Sequence, residues 1–314
     1  VQWCRYYGGT AEDKAIKVAC DGNGFAYVIG KTRSSSGIAY PSSSSVAQGT
    51  YAANDDAFIA KFNSTGGVRW CTYLGGLAYD IAQGVGTDIS GNVYVTGTTQ
   101  SANLSYGSNV FQSTIAGGDE SFLTKYDSSG ARIWFTYFGG NQADQTADIA
   151  IDATGNVCFS GTTLSLGLAT ANAWSQGAIT GSNTDAFLAV FSPSGSRTYT
   201  TYFGGAGVDN GFGISYSRLG DLFVTGSTSS SSGIARYANQ PAIGGNQDAY
   251  ISKFKADTSA FVVVPFSPLS YCQGDSIHVP YGVTNSFLSG NSFTLQLSDA
   301  SGSFTTPVTL GTLS

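Results

Sequence analysis

The chain has 314 residues, with Lys and Arg numbering 14 against 20 Asp and Glu, a formal net charge of −6 and only 11% charged side chains. So sparse and acidic a surface lacks the clustered Lys and Arg that neutralise phosphates, which argues against nucleic acid as a partner. No apolar run approaches the roughly 20 residues of a membrane helix, so no membrane span is expected, and the length suits one large domain plus a small one.

From the first residue the chain reads in units. Val1 to Tyr7 is an aromatic strand that ends in Gly8-Gly9, with an acid at Asp13 and a further glycine at Gly30. The glycine pair returns at Gly75-Gly76, Gly139-Gly140 and Gly204-Gly205, at intervals of 67, 64 and 65. Asp80, Asp144 and Asp209, and Gly97, Gly161 and Gly226, keep the same intervals. A fixed period of this size is the mark of a repeat architecture, with units at 1–67, 68–131, 132–196 and 197–260. In the second unit Ile81 to Thr87 alternates, the turn Asp88-Ile89-Ser90-Gly91-Asn92 follows, and Val93 to Thr98 is a β-branched strand. Ser121 to Tyr126, the turn Asp127-Ser128-Ser129-Gly130 and Ile133 to Phe138 make a second hairpin. No segment reads as helix. Four short antiparallel strands per unit predict an all-β fold, a β-propeller of four four-stranded blades.

The strings WCTYLGG, TDISGNVYVTGTT and DAFIAKFNSTGG resemble the bacterial propeller repeat named for seven-bladed β-propellers and abbreviated SBBP. The resemblance covers about residues 1 to 260 and implies that Ile81 to Thr87 and its equivalents are innermost, with the Trp-Cys-Thr-Tyr strand at the outer edge. Val1 to Tyr7 is then an outer strand with no blade before it. The fourth unit supplies three strands (Gly213 to Tyr216, Leu222 to Thr225, Ala249 to Phe254) and needs a fourth. The expectation is that Val1 to Tyr7 completes that last blade and closes the ring, removing exposed sheet edges. The family name points to more blades, which an upstream unit would supply if the chain is a fragment.

After residue 260 the pattern stops, and Pro265 and Pro268 mark a linker. SYCQGDSIHVPYGV and GNSFTLQLSDASGSF resemble Ig-like modules of large secreted Bacteroidota proteins, which often precede a type IX secretion signal. Strands are expected at Ser276 to Val279, Ser292 to Leu297 and Val308 to Leu310. Residues 261–314 amount to about half of an Ig-like sandwich, so this domain is expected to be incomplete. The chain holds no Met, begins at Val1 and is rich in Gly, Ser, Thr and Tyr, a composition that suggests an extracellular or cell-surface protein, with an upstream segment such as a secretion signal removed or not included. The five cysteines are odd in number and unsuited to a disulfide framework, and most are expected to be buried thiols.

The chemistry available for catalysis is thin. His278 is the only histidine, so neither a Ser-His-Asp arrangement nor a zinc site can be built in the repeats. Asp13, Asp80, Asp144 and Asp209 sit in the loops that lead to the innermost strands. Closure would ring one mouth of the channel with four carboxylates, a set that could hold Ca²⁺, the only cofactor suggested. The simpler reading is that each accepts backbone N–H bonds from its own turn. Asp56, Glu120, Asp185 and Asp248 form a second column, expected to staple strands or blades. The long loops at 32–54, 98–118, 162–183 and 227–246 do not repeat and carry Tyr40, Tyr51, Tyr106, Phe111, Trp174 and Tyr237. Such loops on a rigid scaffold could bind a surface glycan or a protein, or fold back on themselves. Three functions follow in order: a non-catalytic adhesion module using the long-loop face, a structural subunit self-associating into a filament or surface layer through the Ig-like region, and a carbohydrate-active enzyme.

Overall fold

The computed structural model describes residues 1–40, 46–104, 106–108, 110–175, 183–217, 220–234, 240, 242–255, 293–297 and 308–313. It divides into two units, Val1–Phe254 and Lys255–Ser314, so the boundary falls six residues before the expected one. The first unit contains strands β1 (Asp13–Cys20), β2 (Ala26–Thr32), β3 (Asp56–Phe62) and β4 (Val68–Leu74), then β5 (Asp80–Thr87), β6 (Val93–Thr99), β7 (Glu120–Tyr126) and β8 (Arg132–Phe138). The third set is β9 (Asp144–Ile151), β10 (Val157–Thr163), β11 (Asp185–Phe191) and β12 (Arg197–Phe203), and the fourth is β13 (Asp209–Tyr216), β14 (Asp221–Thr228) and β15 (Asp248–Lys255). Each set is one antiparallel sheet in chain order, and no helix occurs among the described residues.

Turn chemistry sets these hairpins. Gly91 and Gly130 adopt φ of 76° and 94°, the left-handed region that favours glycine. The Asp88 and Asp127 carboxylates accept the N–H groups of Ser90 and Asn92 and of Ser129 and Ala131. Within each sheet the first two strands slip register at one point, as between Ala82 and Gly84 opposite Gly97 and Thr96. A Cβ at Gly97 would overlap the Ile81 carbonyl oxygen, and Gly30, Gly161 and Gly226 face Lys14, Gln145 and Asn210 in the same way. This recurring close approach fixes the third glycine column.

Successive sheets pack through their first strands: β5 lies across β1, β2 and β3, β9 across β5, β6 and β7, and β13 across β9, β10 and β11. The first strand of each unit is therefore innermost, as the resemblance implied. The middle strands β3 and β7 are buried along their whole length: β7 lies between neighbouring sheets, and β3 lies between the second sheet and Tyr7. Phe138 packs on Phe159 and Phe187 of the next sheet at ring distances of 5.1 Å, and Trp70 stacks on Tyr126 at 6.3 Å. Lys17 of β1 reaches Asp148 of β9 at 2.5 Å, so the row of sheets curves enough to bring the first and third together.

Among the described residues no packing like that between successive sheets joins the fourth to the first, and residues 1–12 form no strand. Among the described residues β15 ends a three-stranded sheet, so the expected completion of the last blade by Val1 to Tyr7 is not formed. Aromatic burial holds this segment elsewhere: Tyr7 packs on Phe58 and Phe62 of β3, and Trp3 Nε1 donates to the Ser64 carbonyl at 3.0 Å.

In the second unit β16 (Phe293–Leu297) and β17 (Val308–Leu313) pair antiparallel, matching two of the three expected strands. Ser276 to Val279, His278 and Cys272 lie outside the described residues, and an Ig-like sandwich is not established by this single pair.

Candidate functional site

The turn after each outer strand is a closed hydrogen-bonded unit built on the first acid column. Asp80 accepts from Gly76 N at 2.8 Å, from Ser101 Oγ at 2.8 Å and from Thr99 Oγ1. Asp144 accepts from Gly140 N, Ser165 Oγ and Thr163 Oγ1, and Asp13 from Gly9 N, Ser34 Oγ and Thr32 Oγ1. Asp209 accepts from Gly205 N and Ser230 Oγ, both at 2.7 Å. The serine of each set then accepts a second turn N–H, as Ser101 does from Ala78. Burial lifts the Asp80 and Asp144 carboxyls above the ordinary range, and these hydrogen bonds oppose the rise.

Asp13, Asp80, Asp144 and Asp209 each face their own turn, the simpler of the two readings of this column, and among the described residues no group of three His, Cys, Asp or Glu is placed to hold a metal. The sequence signal for the lock is the motif Thr-x-Ser at 32/34, 99/101, 163/165 and 228/230. That motif was legible beforehand, but only the fold shows that it faces the acid.

The second acid column ties the long loop to the third strand. Glu120 accepts from Ala116 N and Gly117 N and from Gln112 Nε2 at 2.5 Å, while the Oε1 of Gln112 accepts from Gly139 N. Asp56 and Asp248 repeat the motif with Gln48 and Gln240, eight residues before each acid. These are staples within one unit, linking loop, acid and Gly-Gly turn. Burial raises the Asp56 carboxyl to about 6; the Ala52 and Ala53 N–H groups oppose this, and the nearby charges of Asp80 and Asp55 add to it.

The loop aromatics fold back along the outer strands. Tyr40 forms a β-bridge to Cys71 and Tyr106 one to Phe135, and the two residues are 53% and 49% exposed. Tyr51 packs on Tyr73, and Arg132 covers the Tyr106 ring at 4.7 Å. Phe111 lies against Phe138 and Phe191 under Arg197, and Trp174 stacks on Phe203 at 5.5 Å. Five of the six expected contact residues thus line separate blade edges and do not form one aromatic platform. Tyr237 lies outside the described residues. Of the four described cysteines, Cys71 and Cys158 are buried thiols, but Cys4 and Cys20 are exposed, against the expectation of mostly buried ones.

Two clefts lie between the first and second sheets, at opposite ends. The hairpin-turn end holds one of ≈ 490 Å³ lined by Asp21, Phe25, Lys61, Trp70 and Ser128. Of its two cations, Lys61 Nζ donates to the Ser128 carbonyl at 3.0 Å and covers the Phe25 ring at 4.4 Å, while Arg69 is exposed at the rim. The long-loop end holds the other, of ≈ 590 Å³, lined by Arg33, Asn54, Asp55, Leu77, Tyr79 and Gln100. Arg33 Nε and Nη2 reach Asp55 at 2.7 and 3.1 Å, and Lys31 Nζ meets the same carboxylate at 3.2 Å. Burial alone would raise Asp55, but these donors hold its carboxyl below the ordinary range. Leu77 stands 75% exposed beside them, and Asn54 takes φ 55° to donate to the Leu77 carbonyl. At the place of Arg33 the other units carry Gln100, Leu164 and Ser229, so this chemistry belongs to one inter-sheet junction alone.

Stacked four-stranded units, glycine-locked turns and an innermost first strand are the features of propeller blades. Residues 69–105 match a family of β-propeller repeats, SBBP. The match spans the outer strand β4, the Gly-Gly turn with its Asp80 lock, and the inner hairpin β5–β6, which are the segments the other three units repeat. No curated protein matches the chain.

Proposed function

We propose that this chain is a non-catalytic extracellular or cell-surface binding module that takes a surface glycan or protein at the long-loop end. One observation carries this reading: the cleft of Arg33, Asp55, Leu77 and Tyr79 at the long-loop end brings charged, apolar and aromatic groups together on a rigid scaffold, and its Arg33 has no counterpart in the other units. The acids of the first column accept from their own turns, and Asp56, Glu120 and Asp248 of the second accept from loop N–H groups and a glutamine, an arrangement that suits a structural role better than acid–base turnover. The Arg33 guanidinium keeps an exposed edge, and Leu77 and Tyr79 offer apolar surface beside it, a combination suited to a sugar ring with hydroxyl or carboxylate groups, or to a polar peptide.

The test is binding of the purified chain to a glycan array and to cell-surface proteins, repeated with Arg33→Ala and Leu77→Ala. Each substitution is expected to weaken binding about tenfold, the effect of losing on the order of 1.4 kcal/mol of contact, while the melting temperature stays within about 3 °C. Absence of any bound glycan or surface protein, or variants that bind as the parent does, would refute the assignment.

A further inference from the structure

The most informative loose ends among the described residues are the outer faces of the first and fourth sheets, because each is half of an interface the molecule forms three times. Along β3, β7 and β11, the residues Ile59, Leu123 and Leu188 point into the following sheet and are 0–2% exposed. Their equivalent on β15 is Ile251, and it is 72% exposed. On the other side of the interface, Val85 of β5 is 6% exposed, and its equivalent Val18 of β1 is 59% exposed. One end of the row presents the donor face of a blade junction and the other end presents the acceptor face.

Residues 1–7 already occupy half of such a junction. Trp70 Nε1 donates to the Ser128 carbonyl of the next sheet at 3.1 Å, and Trp134 Nε1 to the Pro193 carbonyl of the next at 3.2 Å. Trp3 Nε1 makes the same bond to Ser64, in the third hairpin of the first sheet, at 3.0 Å. Phe138 packs on Phe187 and Phe191, and Phe203 packs on Tyr250 and Phe254. Tyr7 packs on the matching pair Phe58 and Phe62, at 5.7 and 5.5 Å. The segment therefore sits where the outer strand of a preceding blade would sit, yet it pairs with no strand. The strand of the right type that ends its sheet without an outer partner, among the described residues, is β15.

We infer that β15 of one copy pairs with residues 1–7 of a second copy, which docks its β1 face onto the exposed Ile251 face, so that copies join head to tail through a fourth blade junction. The occupant is argued from continuity: the second copy presents the same groups that β5, β9 and β13 present inside one chain, on a segment already anchored in position. Among the described residues no such packing joins the fourth sheet to the first. The contact is heterologous, so it continues into a fibre unless the rotation per copy closes it into a ring. This interface lies in the repeats and is independent of the binding cleft proposed above.

Register gives the test. In the first sheet Ala60 pairs with Cys71. Ser252 holds the place of Ala60 on β15, counting from Asp248 as from Asp56, and Cys4 holds the place of Cys71, 67 residues earlier. Ser252→Cys should therefore face Cys4 of the next copy at strand-pair distance, within reach of a disulfide. Mild oxidation of the purified chain is expected to give covalent dimers and higher multiples on non-reducing gels, absent when Cys4→Ser is added. Sedimentation of the unmodified chain should show mass rising with concentration, and Ile251→Lys or Val18→Lys should raise the dissociation constant at least tenfold while leaving the circular dichroism spectrum unchanged. A disulfide formed within one chain would overturn the inference in favour of ring closure. A chain that stays monomeric at all concentrations without forming either disulfide would overturn it outright.

Discussion

Replacing Asp80 by Ala tests whether the acid columns are turn locks. Asp80 is fully buried and accepts from the Gly76 N–H and from the Thr99 and Ser101 hydroxyls. Alanine leaves three buried donors without acceptors, each costing about 1–3 kcal/mol; because the two hydroxyls can rotate, the sum is about 4 kcal/mol. For a unit of this size that lowers the melting temperature by about 8–16 °C. Asp80→Asn keeps one good acceptor and should cost only about 1–2 kcal/mol. Thermal unfolding by circular dichroism, with 5 mM CaCl₂ or with EDTA, should show the same melting point in both media for all three proteins (about 5 mM suffices for weak extracellular calcium sites). If Asp80→Ala melted within about 2 °C of the parent, or calcium stabilised the parent but not the variant, the lock would be wrong and the ring of metal ligands would return.

Gly97→Ala should give little soluble protein, since its Cβ meets the Ile81 carbonyl oxygen and the Phe122 ring at the register slip of a central strand pair; soluble yield and the unfolding midpoint check this. Asp56 binds its proton more tightly folded than unfolded, so its contribution is present below the unfolded value near 3.8 and is lost as pH rises through about 6. Asp56→Asn should accordingly gain on the parent between pH 4 and 7, by up to about 3 kcal/mol in urea titrations, with the advantage vanishing below pH 4. Trp134→Phe removes the bond to the Pro193 carbonyl and part of the contact between the second and third sheets, and should cost about 1–2 kcal/mol in the same assay. Cys71 and Cys158 should resist alkylation in the native chain while Cys4 and Cys20 react at once, because burial pushes the Cys71 thiol up to about 11 and that of Cys158 higher still; mass spectrometry after a short pulse of iodoacetamide reads this directly.

The reach of the sequence differs from residue to residue. Asp80, Asp144 and Asp209 stood out because a turn acid at a fixed offset is a local device, repeated whenever the turn is. Whether four of them meet around a channel is a question of closure, which depends on sheet-to-sheet rotation and leaves no trace in spacing. The aromatics Tyr40, Phe111 and Trp174 were visible as unrepeated loop residues, but a ring meant for solvent and a ring meant for Phe203 read alike in a string of letters. Arg33, Asp55, Leu77 and Tyr79 belong to different segments of two units, and nothing in their order announces that they line one cleft.

Period, strand alternation and turn glycines therefore determined, from the sequence alone, the all-β class, the repeating units and the strands of the second unit to within a residue, because these rest on interactions within a hairpin. Only the tertiary structure decided that the acids lock their own turns, that Tyr7 and Trp3 hold residues 1–7 on the first sheet, and that Val18 and Ile251 are left bare at the two ends. Those outcomes depend on how one sheet packs on the next, where contacts join residues about 60 or more positions apart.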